Sequence, residues 1–271
     1  MSAQNKYAII TGASSGIGAE FARQLAKKGY RLIITARREE RLVQLKERIG
    51  TECEIITADL SKEEEVYRFY RKIADRPVAV FINNAGFGNW GTFAESDLKK
   101  ELNMIDLNVR AVHILTKLII RKMSKQNYGY LLNVASSAGL MPAGPYMAAY
   151  YATKAYVASL TRAVAEELRE KKSGVFIGCL CPGPVDTEFN SAADVEFSLK
   201  GISAAECVRF ALAGMKKRKV VIVPTVIMRT ALLMERFCPQ EFVIYLTRFQ
   251  QKKKGEIKNG KNKIRGYKRG K

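Results

Sequence analysis

Tyr150 and Lys154 stand four residues apart in the run Tyr150-Tyr151-Ala152-Thr153-Lys154, a spacing that sets both side chains on one face of a helix. A phenol, with an ordinary pKa near about 10, transfers protons poorly at neutral pH, and a neighbouring ammonium would lower that value. Tyr150 would then serve as an acid and a base. Such a pair also arises by accident in many helices, so its meaning depends on what surrounds it.

The amino-terminal region supplies a second signal. Thr11-Gly12-Ala13-Ser14-Ser15-Gly16-Ile17-Gly18 lies between an apolar run, Tyr7–Thr11, and a helical pattern carried by Ile17, Phe21 and Leu25. Glycines there permit a tight turn and let backbone N–H groups approach a pyrophosphate at the positive end of a helix. The second apolar run ends in Ala36-Arg37-Arg38, where a protein preferring NAD would place a carboxylate on the ribose hydroxyl. Guanidinium groups grip a 2′-phosphate instead, so Arg37 and Arg38 point to NADPH and NADP+. Asp59 and Leu60, after the third run, are placed to contact the adenine, although Asp59 also suits a helix cap. An oxidised nicotinamide would add a second positive charge beside Tyr150.

Further motifs follow in order: Asn83-Asn84-Ala85-Gly86, Asn108 within a helical stretch, Asn133-Val134-Ala135-Ser136-Ser137-Ala138-Gly139, the Tyr150–Lys154 run, and Cys181-Pro182-Gly183-Pro184-Val185-Asp186-Thr187. With the glycine-rich turn they resemble the short-chain dehydrogenase/reductase family over about residues 5–225. The resemblance implies a hydride transfer between nicotinamide and a carbonyl or secondary alcohol. It makes Tyr150 the general acid in reduction and general base in oxidation, with Lys154 holding the nicotinamide ribose. Asn108 would anchor a water that relays protons to Lys154. Asn84, Ala85 and Gly86 would line the adenosine side, and Pro182, Gly183, Val185 and Thr187 the nicotinamide end. A serine of the Ser136-Ser137 pair would bond the substrate oxygen. Family spacing, thirteen residues before the tyrosine, selects Ser137, whereas the pattern N-x-x-S-x-A-G selects Ser136, which is the expected residue. Met141, Tyr146, Met147, Phe189 and Met228 are expected to line a hydrophobic substrate pocket.

Other chemistries have few materials. His113 is the only histidine and sits in an apolar helical pattern as an expected packing residue, and there is no G-x-S-x-G elbow. No His, Cys or carboxylate cluster has metal-ligand spacing. The five cysteines include no C-x-x-C pair, and Cys179 and Cys181 would share one face of a strand as buried packing groups. The start lacks a long apolar leader, so a cytoplasmic setting is expected, with peripheral membrane contact as an alternative. A non-catalytic nucleotide-binding regulator or scaffold is the rival function, and the intact Ser, Tyr, Lys and Asn set argues against it.

To position these residues the chain needs repeated βα units. Apolar runs alternating with amphipathic stretches predict a Rossmann-type α/β fold, a doubly wound parallel sheet of about seven strands in a single domain. Strands are expected at 7–11, 31–36, 54–57, 78–83, 130–135, 175–181 and 220–223, with one long helix around 107–123 and another at 148–169. Residues 1–225 form the expected catalytic domain, and a homodimer or homotetramer is the expected assembly. Residues 226–251 read as a lid over the substrate, a subunit contact or a membrane contact. The chain has 271 residues and a net charge of +20, of which 252–271 supplies ten Lys or Arg against one Glu. This stretch reads as a disordered basic tail, open to an anionic membrane surface but carrying no motif for specific nucleic acid.

Overall fold

The computed structural model describes residues 6–188 and 201–252. Phe189 and all but the first residue of the basic tail lie outside them. Seven parallel strands form one sheet: β1 (Tyr7–Thr11), β2 (Arg31–Thr35), β3 (Cys53–Ile55), β4 (Val78–Asn83), β5 (Gly129–Val134), β6 (Val175–Leu180) and, after a separate parallel pair β7 (Val185–Asp186) and β8 (Ile202–Ser203), β9 (Val221–Ile222). Their spatial order is β3-β2-β1-β4-β5-β6-β9.

The strands read as unbroken apolar runs because both faces are covered: β1, β4 and β6 are buried along their whole length. Side chains alternate between the two cores. Ala8 and Ile10 of β1 pack with Phe21 and Leu25 of α1 (Gly16–Ala26) and with Val208 and Met215 of α7 (Ala204–Lys216). Tyr7 and Ile9 pack with Phe69 of α3 (Glu63–Ile73) and Leu115 and Ile119 of α5 (Val112–Gln126). α2 (Glu39–Glu47) closes the β2–β3 end through Leu42 and Leu45.

The chain reverses its winding between β1 and β4, which lie side by side. A crevice therefore opens beyond their carboxyl ends, where Gly12–Gly18 and Asn84–Gly86 sit. Beneath it, Asn83 Nδ2 donates to Asn133 Oδ1 at 3.2 Å, Thr116 Oγ1 donates to the same oxygen at 3.1 Å, and Asn133 Nδ2 donates to Thr161 Oγ1 at 2.9 Å. This satisfied polar network ties β4 to β5 and to the long helix α6 (Ala148–Glu170).

The helix expected around 107–123 differs. It begins earlier, as α4 (Leu98–Ile105), which Asp97 caps by accepting hydrogen bonds from the Lys99 and Lys100 N–H groups. It then widens into a π-helical turn at Asp106–Ala111 before continuing as α5. β3 also starts one residue early and is shorter than expected. The carboxyl-terminal segment folds as α8 (Val226–Met234), a 3₁₀ turn at Glu235–Phe237, and a helix, α9, over 240–252. Among the described residues no helix is long and apolar enough to cross a membrane.

Candidate active site

The glycine-rich turn is shaped by its neighbours. Asn84 Nδ2 donates to the Thr11 carbonyl at 2.9 Å and to the Gly12 carbonyl at 3.1 Å, while Thr11 Oγ1 accepts from the Asn84 and Ala85 N–H groups. Asn84 thus works on the turn's backbone as well as lining the crevice. Gly12 has φ +65°, and a Cβ on Gly18 would lie 2.2 Å from the Gly12 carbonyl oxygen, so the start of α1 packs on the turn only without side chains. Ser15 makes no side-chain cap at the α1 amino terminus, which leaves the first N–H groups directed at the crevice.

A single cavity of about 840 Å³ runs from this turn to α6. Gly12, Ser14, Ser15, Gly16 and Ile17 line its centre, Arg37, Arg38, Asp59 and Leu60 one end, and Ser136, Tyr150, Lys154, Pro182, Gly183, Val185 and Thr187 the other. Asn84, Ala85 and Gly86 lie along the wall between. Of the expected cofactor residues, Gly18 alone is set back from the surface, where its role is packing. Asp59 spends Oδ1 on the Ser61 N–H and hydroxyl, at 3.2 and 2.8 Å, and still borders the cavity.

Arg38 is held across the turn. Its Nη2 donates to Ser14 Oγ at 3.1 Å and Ser15 Oγ at 3.0 Å, and its Nη1 pairs with Glu188 at 3.1 Å. Arg41 meets the other Glu188 oxygen at 3.3 Å. Thr187 lies over Gly16, since a Cβ there would approach the Thr187 side chain to 3.1 Å. The segment after β6 therefore crosses the phosphate end of the crevice as well as the opposite end that the sequence assigned to it.

At the α6 end, Ser136 caps a 3₁₀ turn, Ser137–Gly139, by accepting from the Ala138 N–H, and its hydroxyl is hydrogen-bonded to Tyr150. Ser137 also borders the cavity, but its N–H is fixed on the Pro182 carbonyl at 2.8 Å. A Cβ on Gly139 would lie 2.3 Å from the Lys154 carbonyl oxygen, so the Ala-Gly of the motif is what lets α6 approach the serine. Lys154 Nζ donates to the Val134 carbonyl at 2.9 Å and stands 5.8 Å from the Tyr150 ring centre. Asn108, fully buried in the π-helical turn, donates through Nδ2 to the Phe87 carbonyl and to Thr153 Oγ1 and accepts the Phe87 N–H on Oδ1. The π-helical widening delivers this side chain to the loop after β4.

Burial dominates the electrostatics. It pushes the Tyr150 phenol up to about 12, with the Ser136 hydrogen bond pulling the other way, and it draws the Lys154 ammonium down to about 8. The expected lowering of the tyrosine by the lysine is therefore absent from the nucleotide-free chain. The Cys181 thiol beside them is held well above its ordinary value by Cys179, whose sulfur is 3.7 Å away, and by burial.

Sequence reasoning missed part of the cavity wall: Phe87, Tyr151, Gln250 and Gln251 border it beside Met141, Met147 and Met228. Gln251 is buried, donates to the Tyr151 hydroxyl at 2.6 Å, and accepts the Trp90 indole N–H on its carbonyl at 3.0 Å. Tyr146 stacks on Trp90 with ring centres 5.8 Å apart, while Met141, Met147 and Met228 line the cavity as expected. His113, expected in packing, is exposed and hydrogen-bonded to the Tyr156 hydroxyl at 2.7 Å. A Gln at 251 has no motif around it, so nothing in the sequence marked it.

Known proteins share this arrangement. The family model described as short chain dehydrogenase matches residues 6–196. An uncharacterized oxidoreductase of Staphylococcus saprophyticus is 32% identical over 197 residues, covering 70% of this chain and 83% of that protein. A very-long-chain 3-oxoacyl-CoA reductase of Kluyveromyces lactis is 36% identical over 178 residues, covering 60% of this chain but only 50% of that protein. Among solved structures, a short-chain dehydrogenase from Sphingobium yanoikuyae in complex with NADPH superposes with a TM-score of 0.77 at 28% identity, over 86% of this chain and 93% of that one. A Burkholderia phymatum short-chain dehydrogenase/reductase in complex with NAD has a TM-score of 0.80 at 24% identity, over 92% of this chain and 97% of that one, a likeness of fold. A parallel sheet wound about a crevice that holds a serine, a tyrosine and a lysine, together with a family match over most of the length, places this chain in the short-chain dehydrogenase/reductase family of nicotinamide-dependent oxidoreductases.

Proposed function

We propose that this chain is an NADPH-dependent reductase of apolar carbonyl compounds, with Tyr150, Lys154, Ser136 and Asn108 as its working residues. The observation that carries the reading is one continuous cavity joining the arginines at its far end to Ser136 and the buried Tyr150 and Lys154. The bound nicotinamide would supply the hydride that reaches the substrate carbonyl carbon. Arg37 and Arg38 would hold the 2′-phosphate, and the uncapped α1 amino terminus with Ser14 and Gly16 the pyrophosphate. Lys154 would hold the nicotinamide ribose, with Pro182, Gly183, Val185 and Thr187 closing over that end.

Tyr150 donates its phenolic proton to the substrate oxygen while Ser136 holds that oxygen by a hydrogen bond. A phenol held at about 12 by burial is protonated near neutral pH, so the proton that reduction requires is in place, although it is held more tightly than in an ordinary phenol. Lys154, drawn down to about 8, is a donor that can pass a proton on toward Tyr150 near neutral pH. Asn108 supports a water beside Lys154 from which the lost proton is replaced.

Phe87, Met141, Met147 and Met228 around Tyr150 suit an apolar substrate. Given the 3-oxoacyl-CoA reductase among the relatives, long-chain 3-oxoacyl thioesters are the first compounds to test. The purified chain is titrated with NADPH and NADH by nicotinamide fluorescence and then assayed with 3-oxoacyl thioesters. Preferential NADPH binding and its oxidation by the thioester are expected. Binding of neither nucleotide refutes the reading.

A further inference from the structure

α9 has one side packed on the protein and another, apolar side left exposed. Val243, Thr247 and Gln251, at helical spacing, are buried against the body of the protein. Phe242, Leu246 and Phe249 repeat at the same spacing on the other side and remain about half exposed. The preceding segment continues this surface: Met234 is 66% exposed, and Ile227 and Phe237 are each 81% exposed. Among the described residues none of these six belongs to a buried cluster. A patch of this kind on a folded chain marks a contact surface.

Charge identifies the occupant. Arg248 lies over the Tyr245 and Phe249 rings, 4.8 and 5.0 Å from their centres, on the apolar face itself. Directly after α9 the sequence brings nine Lys or Arg against one Glu, and within the patch Glu235 and Glu241 are the only acids. A second copy of the chain seated face to face would bring two such cationic stretches together, whereas an anionic bilayer pairs with both the apolar stripe and the basic stretch. We infer that the α8–α9 face lies in the headgroup region of an anionic lipid membrane, with Ile227, Met234, Phe237, Phe242, Leu246 and Phe249 inserted and the basic stretch on the phosphates.

The same two helices border the substrate cavity through Met228, Gln250 and Gln251. On the reading that the substrate is apolar, the membrane is then its source, and it enters past the α8–α9 edge without crossing water. The surface itself stands apart from that reading, because vesicle binding needs no turnover.

The test is flotation of the full chain with vesicles of phosphatidylcholine alone and of equimolar phosphatidylcholine and phosphatidylglycerol, in low and high salt. Binding to the anionic vesicles that falls with salt is expected. F237S/F249S is expected to cut that partition by about tenfold or more, with NADPH affinity and melting temperature unchanged. K258E/K261E/K263E is expected to cut it by about a hundredfold on the anionic vesicles. Absence of binding, or undiminished binding of F237S/F249S, overturns the inference. So does a wild-type dimer that ignores vesicles and that F237S/F249S converts to monomers, since a second copy then covers the face. A chain that binds vesicles and no nicotinamide nucleotide leaves the surface standing and refutes the enzymatic proposal instead.

Discussion

Replacing Lys154 by methionine should destroy turnover and yet stabilise the nucleotide-free protein. The ammonium is 5% exposed, and burial draws it from an ordinary 10.5 down to about 8. At about 1.4 kcal/mol for each pH unit, that fall corresponds to about 3 kcal/mol of unfavourable free energy in the folded, charged state. Methionine removes the charge but leaves the Val134 carbonyl without the donor it now has at 2.9 Å, which costs about 1 kcal/mol. The variant should therefore gain about 2 kcal/mol at neutral pH, or roughly 4–8 °C in melting temperature for a domain of this size.

The pH dependence isolates the cause. A base whose folded pKa lies below its unfolded value binds fewer protons folded than unfolded between the two, so stability rises with pH across that window. Below about pH 8 the penalty is fully present, and by pH 10.5 it is gone. Denaturant melts of both proteins across this window, without nucleotide, should show the variant's advantage shrinking as pH rises and turning into a deficit of about 1 kcal/mol, the lost hydrogen bond to Val134, once the penalty is gone. Other tyrosines and lysines titrate equally in both proteins and cancel in the difference. A variant less stable at pH 7, or a difference that does not change with pH, would refute the assignment of Lys154 as a strained buried charge.

The remaining predictions address the site. Tyr150→Phe should lower kcat by about a hundredfold or more and leave NADPH affinity within a few-fold, as fluorescence titration and steady-state rates would show; normal turnover would sink Tyr150 as the proton donor. Ser136→Ala should lower kcat by about a hundredfold, whereas Ser137→Ala should change it only a few-fold, and the reverse order would transfer the role to Ser137. Arg38→Ala should weaken NADPH by about tenfold or more and NADH far less, measured by calorimetry, and equal losses would mean that Arg38 only braces Ser14, Ser15 and Glu188. Gly18→Ala should cost about tenfold or more in affinity for both nucleotides, because its methyl must displace the Gly12 carbonyl oxygen 2.2 Å away.

Local motifs were readable where one short stretch of chain both carries a function and builds its own geometry. The glycine-rich turn is of this kind, since Gly12 and Gly18 answer a backbone demand made by their immediate neighbours. So are the strands, whose buried faces leave unbroken apolar runs. The π-helical turn at Asp106–Ala111 was not readable, because its residues also suit a regular helix and only the packing of Asn108 on Phe87 and Thr153 distinguishes the two. α7 was missed for a related reason: it belongs to the long-range packing of Cys207, Val208 and Ala211 on α1 and the sheet.

The two serines show where tertiary structure bears on what spacing leaves open. Counting back from Tyr150 assumes a fixed loop length between β5 and α6, and here that loop carries Tyr146 with φ +65°, a left-handed conformation rare for a side chain of this size. An extra residue absorbed there would shift the count and leave the positions of the serine and the helix intact. Those positions are set elsewhere, by Gly139 against the Lys154 carbonyl and by the Ser137 N–H on Pro182. Gln251 makes the same point from the other end of the chain. It reaches Tyr151 and Trp90 only because α9 folds back over the cavity, and that return is driven by Val243 and Thr247 burying one side of a helix whose opposite side stays apolar and exposed. A helix selected only to close the cavity would carry polar residues on that outer side, so closing the cavity accounts for one face of α9 and leaves the other to be explained by what it touches.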